Sequence, residues 1–462
     1  MFECEGKYTT AKLYAETVEE DLFPQIYDVV NSKAFEGKKV VIMPDAHVGA
    51  SGPCGMCAEI GDWICPEHVG VDIGCTVSAM MLDDKIPSDL YAEIEHKIKK
   101  TIPMGANIHE TSIFHRTGSP FTYYLSEKDF YRFLTNGFNR YRQTWYEMLS
   151  DLPDKVDEKW VSAQLKRLNM DEGVFYKSLG TIGGGNHFIE YDELDPAYNK
   201  EYGKDVSGAI VMHFGSRNFG VKICKYWTAQ TKDPLSKEEI KVLTNEFKER
   251  YRATHDNMRD VSDALKSYLE EEKAKYVPGY LTGDKMKGYL MDMCFGQLYA
   301  EYNHKIVQTL IDRILWKYDI GVDRIISSTH NFIDLEDHIL RKSAIRSYID
   351  EEMIVPFNMR DGIAICEGLS NPEWLNSCAH GAGRRLSRSE AKRKLSMDEF
   401  KDTMRNIYST TVSINTLDES PMAYKDTEEI KRLISETCKI KFMMLPKISI
   451  KSDEEPLEPW KK

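Results

Sequence analysis

The sequence predicts an α+β protein, a single large domain with central β-sheets flanked by helices. Three observations lead there. Short apolar runs recur along the 462-residue chain, each closed by a glycine- or proline-rich turn, as buried strands are. Two long stretches, 85–170 and 234–320, read instead as mostly helical. No internal repeat and no clean linker divides the chain, so the second stretch reads as a helical excursion (about 226–320) from one domain.

In chain order, a helix is predicted over Thr17–Asn31. A strand follows over Val40–Met43, ended by Pro44 and delivering Asp45 and His47 at its mouth. V-G-V-D-I-G-C-T-V-S-A-M sets Asp72 and Cys75 three apart across Gly74 and returns to a strand, Thr76–Met81. From Pro87 an amphipathic helix is expected with Ser88 as its cap. Residues 85–170 read as helical with an aromatic surface, and His96, His109 and His115 as surface or packing residues. Three glycines then precede Asn186-His187 and a strand at Phe188–Tyr191; the next strand ends on His213, with Ser216 and Arg217 just beyond. Ser236 with Glu239 predicts a capping box. Met286–Trp316 is a helix whose methionines fill core, and His255 and His304 read as structural or exposed. D-R-I-I-S-S-T delivers His330-Asn331. Residues 341–346 form a basic knot, the strand I-A-I-C-E-G leads on toward Asn376–Arg393, a helix follows near 398–406, and 453–462 reads as a frayed end.

Bulk properties narrow the function. The formal net charge is −13, which argues against a nonspecific nucleic-acid coat but not against a local basic site. Residues 384–394 are such a site, with six Lys/Arg against Glu390 alone. Ten cysteines in no framework spacing, with no signal peptide and no membrane-length apolar run, predict reduced thiols in a cytoplasm. Cys54-x-x-Cys57 is half of a zinc motif and reads as packing.

Four times an apolar strand ends in a glycine-rich turn with His, Asp or Cys at the junction. Collected, these are Asp45, His47, Asp72, Cys75, His187, His213, His330 and His380. A carboxylate, a thiolate and several imidazoles make a metal-ligand set, and with phosphate nearby they suit Mn²⁺ or Zn²⁺. Histidines at strand ends are also often merely hydrogen-bonded, and spacing does not choose between the two. His380 heads H-G-A-G-R-R, where small residues let backbone N–H groups approach an anion and arginines match phosphate oxygens. An imidazole there is placed to attack a phosphorus or to move a proton. For an isolated H-G-x-G the better reading is the bland one, a helix N-terminus with a solvated basic face.

The motifs P-D-A-H-V-G, V-G-V-D-I-G-C, L-G-T-I-G-G-G-N-H-F-I-E, H-F-G-S-R, T-H-N, R-K-S-A-I-R and L-N-S-C-A-H-G-A-G-R-R-L-S-R-S-E-A-K-R stand in one order. In that order they resemble the RtcB RNA ligase family, from about Met43 to Lys451. The resemblance implies a ligase domain over 1–452 with a two-metal cleft at strand ends. It implies joining of RNA 2′,3′-cyclic phosphate or 3′-phosphate ends to 5′-hydroxyl ends, in tRNA splicing or RNA repair, with GTP as co-substrate and two Mn²⁺ ions. By resemblance His380 is the nucleophile that takes up GMP and Asp45 orients it. Asp72, Cys75, His187, His213 and His330 are the metal ligands. Asn186, Phe188, Glu190, Asn331, Ala382, Gly383, Tyr424 and Lys451 hold the nucleotide, and Arg217 and Arg384 face RNA phosphate. The expected partner is RNA with broken ends, with room for an archease-like activating protein; a monomer and no membrane are expected. The chain departs from the family pattern at Val355–Arg360, where small residues are usual, and at Pro66-Glu67-His68. Two other readings fit less of this: a Mn²⁺-dependent RNA end-phosphate hydrolase, which needs no nucleotidylated histidine, and a non-catalytic RNA-binding scaffold.

Overall fold

A computed structural model describes residues 2–115, 126–198, 207–235, 237–255 and 260–453. The strands are, in chain order, Phe2–Glu5 (β1), Thr10–Leu13 (β2), Val40–His47 (β3), Cys54–Glu59 (β4), Cys75–Leu82 (β5), Phe188–Leu194 (β6), Gly208–Phe214 (β7) and Val322–His330 (β8). They continue as Phe332–Ile333 (β9), Ile339–Lys342 (β10), Ala344–Arg346 (β11), Glu352–Asn358 (β12), Gly362–Gly368 (β13), Ser377–Ala379 (β14) and Cys438–Ile450 (β15). A seven-stranded sheet runs β12-β13-β15-β6-β7-β5-β8, and a six-stranded sheet runs β1-β2-β3-β4-β10-β9. The larger sheet curls until its two edges meet, where the Ile354 N–H donates to Ser328 Oγ at 2.8 Å. Mixed helix and sheet in one body agrees with the predicted α+β class.

The core sits between the larger sheet and the 34-residue helix Gly283–Trp316, whose Tyr289, Phe295, Tyr299 and Tyr302 are buried. Phe130, Phe138 and Phe175 pack on this helix. The aromatic residues of 85–170 are therefore partly core, not only the surface that the sequence predicts, because a helix this long needs apolar cover on several sides. Met286 and Met293 fill core as expected. His304 is structural: its ring stacks on Phe214 at 3.7 Å and contacts the Phe214 carbonyl and the Ser78 hydroxyl. His255 is exposed at the end of a helix. His109 is buried against the Gly180 carbonyl, and His96 and His115 are exposed.

Local expectations shift in four places. The first helix spans Leu22–Val30 rather than starting at Thr17, because Thr17 gives its N–H and hydroxyl to the Glu429 carboxylate. The strand at Pro44 does not stop there; β3 continues to His47 through a register shift that absorbs the missing N–H. Ser88 opens a short 3₁₀ turn without capping, and the helix begins at Tyr91. The basic knot at 341–346 is internal: Arg341 is fully buried, bonded to Asp334 and Asp337, and Arg346 joins Asp334, Glu336 and Glu351. The Ser236 cap and the tail beyond Asp453 lie outside the described residues. Among the described residues no helix is long and apolar enough to cross a membrane.

Candidate active site

Strand pairing brings the predicted metal ligands to one end of the larger sheet. In the order β6-β7-β5-β8, Phe188 pairs with His213, Val77 with His213, and Cys75 with His330. His187 precedes β6 by one residue and Asp72 lies in the turn before β5, so both overhang the same sheet end. Donor atoms then converge in two groups, Asp72–Cys75–His187 and Cys75–His213–His330, each with all its atoms within 4.8 Å. Cys75 belongs to both. Its sulfur lies 3.6 Å from His187 Nε2, which is 2.9 Å from Asp72 Oδ2, while the Nε2 atoms of His213 and His330 are 3.3 Å apart.

The electrostatics fit a cation centre. Burial holds the His213 and His330 imidazoles well below their ordinary range, so both are neutral donors. His213 Nδ1 faces the Asn186 carbonyl at 3.2 Å and gives that oxygen its N–H, leaving the Nε2 lone pair toward His330. Burial would raise the Asp72 carboxyl, but His187 beside it brings it down to about 2. Burial and the Asp72 charge push the Cys75 thiol well up, a penalty that a bound cation reverses because a coordinating thiol is deprotonated. One group of O, S and N donors and one of S and two N, sharing a sulfur, suit divalent transition ions better than Mg²⁺.

His380 stands beside this centre, its ring 4.7 Å from that of His330. It follows β14, and its Nδ1–H donates to Asp45 Oδ2 at 2.7 Å; Asp45 is fully buried. That bond fixes the tautomer and leaves Nε2 as a lone pair. The loop after His380 is laid directly on the Asp45 backbone. A Cβ at Gly383, whose φ is +71°, would sit 2.0 Å from the Asp45 carbonyl oxygen. Gly383→Ala is therefore expected to cost about 2–4 kcal/mol, from left-handed strain and overpacking together. Thermal melting checks this; an unchanged Tm would mean that the loop is free to lift off Asp45.

His380 also lines a cavity of about 450 Å³, a volume suited to a small ligand. Asn186, Phe188, Glu190, Ala382, Gly383, Tyr424 and Lys451 share its wall with Pro356, Phe357 and Met359. A sequence model described as tRNA-splicing ligase RtcB matches residues 25–452. The chain belongs to the RtcB family. It is 25% identical over 443 residues to the RNA-splicing ligase RtcB of Escherichia coli K12, covering 90% of each chain. It is likewise 25% identical to the tRNA-splicing ligase RtcB of Nanoarchaeum equitans over 453 residues, covering 86% of this chain and 84% of that one. To the RNA-splicing ligase RtcB homolog 1 of Entamoeba histolytica it is 24% identical, over 89% and 80% of the two chains.

Within this RtcB fold the remaining predicted residues divide. Lys451 holds its ammonium 5.3 Å from the Phe188 ring centre, and Glu190 accepts from the Ser449 hydroxyl at 2.7 Å, its carboxyl raised by burial. Asn331 is not on the cavity wall; its side chain braces the Asp72–Cys75 turn, donating to Asp72 O and accepting from Ser343 N. Arg217 lies under the glycine loop, donating to Thr181 Oγ1 and Gly105 O. Arg384 is on the wall, but its guanidinium turns inward to Leu386 O, Asp418 O and the Glu419 carboxylate. Arg360, the charge that departs from the family pattern, is bound by Asp361 and stays off the wall.

Glu419 is the residue that sequence reasoning missed. It is buried and accepts from Arg384 at 3.2 Å, from Tyr424 at 2.5 Å and from Arg388, with Lys451 at 3.5 Å. The signal was an acid pair, Asp418-Glu419, a few residues before Tyr424, with a basic loop needing counter-charge. Burial would raise this carboxyl; Arg388, Lys451 and Arg384 override it and bring it down to about 2. A depressed folded-state value contributes stability above the unfolded value of about 4.3, and that stability is lost as pH falls toward 2. Glu419→Gln is expected to destabilise the protein by about 3 kcal/mol at pH 7, leaving buried cations unmatched. The gap from the parent protein should close as pH drops from about 4.5 toward 2; a pH-independent gap in chemical denaturation would contradict the charge account.

Proposed function

We propose that this RtcB-family protein is a GTP-dependent RNA ligase that joins 3′-phosphate or 2′,3′-cyclic phosphate ends to 5′-hydroxyl ends through a guanylylated His380. The observation that carries the reading is the Asp45–His380 pair, whose free Nε2 opens onto a nucleotide-sized cavity beside the two donor groups. Asp72, Cys75, His187, His213 and His330 would hold two Mn²⁺ ions, which supply charge neutralisation at the reacting phosphates.

The chain's own residues account for the rest. Nε2 of His380 attacks the α-phosphorus of GTP, a P–N bond forms and pyrophosphate leaves. Asp45 stabilises the positive charge that develops on the imidazole, as a carboxylate behind a nucleophilic or basic histidine does. Phe188 offers a face for the base, and Glu190 and Lys451 offer an acceptor and a donor for its edge. The RNA 3′-phosphate then takes GMP from His380, and the 5′-hydroxyl displaces GMP as the new phosphodiester forms. A cyclic end is first opened by water. Broken tRNA is the RNA to test first, following the names of the relatives.

Incubation with α-labelled GTP and Mn²⁺, followed by denaturing separation, tests the reading. Acid-labile, base-stable label on the protein is the expected result, because a phosphoramidate on histidine behaves so. Protein that binds metal and takes no label would favour the end-phosphate hydrolase.

A further inference from the structure

All ten cysteines are free thiols; eight are buried, and only Cys54 and Cys65 are half-exposed. These two differ in their surroundings. Cys65 lies in a separate groove with Gly52, His68 and Tyr280, and burial pushes its thiol up to about 11. Cys54 opens β4 directly across from His47, the last residue of β3, and lines the same cavity as His380. It is thus on the wall of the site, where Cys54-x-x-Cys57 as mere packing would not place it; Cys57 alone is core.

The cluster around Cys54 favours a thiolate. Burial would raise the thiol, but the His47 imidazole hydrogen-bonded to it, the Lys342 ammonium and the Ser343 hydroxyl bring it down to about 6. Burial would lower His47, and its thiolate partner instead holds it at about 9. His47 Nδ1 is tied to the Asp45 carbonyl at 3.0 Å, which holds the ring at the end of β3 opposite Cys54. Lys342 is kept in place by donating to Glu67 O at 2.9 Å and Ser51 O at 3.3 Å. The 49–52 loop packs along one side of the sulfur, the other side facing the cavity: a Cβ at Gly49 would lie 3.0 Å from Cys54 Sγ and 2.2 Å from Gly52 O.

We propose that Cys54 is a modification site, a thiol that attacks small disulfides entering the catalytic cavity and carries the resulting adduct where it obstructs His380. The sulfur of Cys54 attacks one sulfur of the reagent, the reagent's S–S bond breaks, and the other half leaves as a thiolate. The proton held on His47 passes to that leaving thiolate, since the adduct no longer offers His47 an anion. Reaction with a dithiol or excess thiol restores the enzyme by the reverse exchange.

The adduct is read by mass and stands apart from the ligase reading; the loss of activity rests on it. The metal-loaded full-length protein is incubated with oxidised glutathione, mapped by peptide mass and assayed for guanylylation. The expected result is an adduct on Cys54 forming at least about tenfold faster than on Cys65. Guanylylation is expected to fall with adduct formation and to return on reduction. His47→Ala should slow the adduct by about tenfold or more. Cys54→Ser should show no treatment-dependent loss relative to its own untreated sample. Equal labelling of Cys65, an adduct mapped to Cys75, or a full Cys54 adduct with undiminished guanylylation would overturn the proposal. Failure of the ligase reading would show separately, as untreated protein that takes no label.

Discussion

His380→Ala is expected to lose guanylylation by at least about 10⁴-fold, since the nitrogen that forms the covalent bond in the proposed step is gone. The same substitution strands Asp45, a fully buried carboxylate whose other oxygen already has no hydrogen-bond partner among the described residues. A fall in Tm should therefore accompany the loss, because an unpaired buried carboxylate is costly. His380→Asn separates the two effects: its amide keeps a donor for Asp45 but has no nucleophilic nitrogen. It should regain stability and remain inactive. Asp45→Asn leaves the nucleophile in place and removes the charge behind it, so label should still form, about 10²–10⁴-fold more slowly. Guanylylation at the parent rate in His380→Asn would sink the assignment of the nucleophile.

Cys75→Ala is expected to empty both donor groups at once. Its sulfur is the one atom common to Asp72–Cys75–His187 and Cys75–His213–His330, so no single-group variant has the same reach. Equilibrium dialysis against Mn²⁺, with metal counted per chain, should show occupancy falling at both sites in Cys75→Ala. In Asp72→Ala or His330→Ala the loss should be confined mainly to one. Guanylylation should drop by on the order of 10³-fold or more with the metal, because charge neutralisation at phosphate is worth several kcal/mol. The metal-free fold should change little, since replacing a small buried thiol by a methyl leaves a small void. A Cys75→Ala protein that still binds two Mn²⁺ per chain would remove Cys75 from the ligand set.

Much of this site was legible along the chain because its signals are local. A strand junction with a glycine turn that presents His, Asp or Cys can be seen within a dozen residues, and four such junctions supplied Asp72 with Cys75, His187, His213 and His330. Antiparallel pairing of β6, β7, β5 and β8 then had only to set those ends side by side. The Asp45–His380 pair was equally readable as motifs, though 335 residues separate the partners. Its contact depended on a glycine at position 383 to let the two backbones meet.

The sequence by itself determined the α+β class and the family, and its short motifs named the candidate donor set and His380 as the candidate nucleophile, because residue types carry their chemistry wherever they fold. Only the tertiary structure decided where charges and faces point. Arg384, read as facing RNA phosphate, is spent on Glu419 and two carbonyls, and the 341–346 knot is an internal ion-pair network. Asn331 braces a turn rather than lining the cavity, and Cys54 leaves the packing role its motif suggested for the cavity wall. The physical reason is the same each time: a polar group's role is set by the partner that packing brings to it. A cation's role depends on which carboxylate reaches it, and a thiol's on which imidazole stands across the next strand. Those partners come from distant segments and are chosen by packing, which no local pattern encodes.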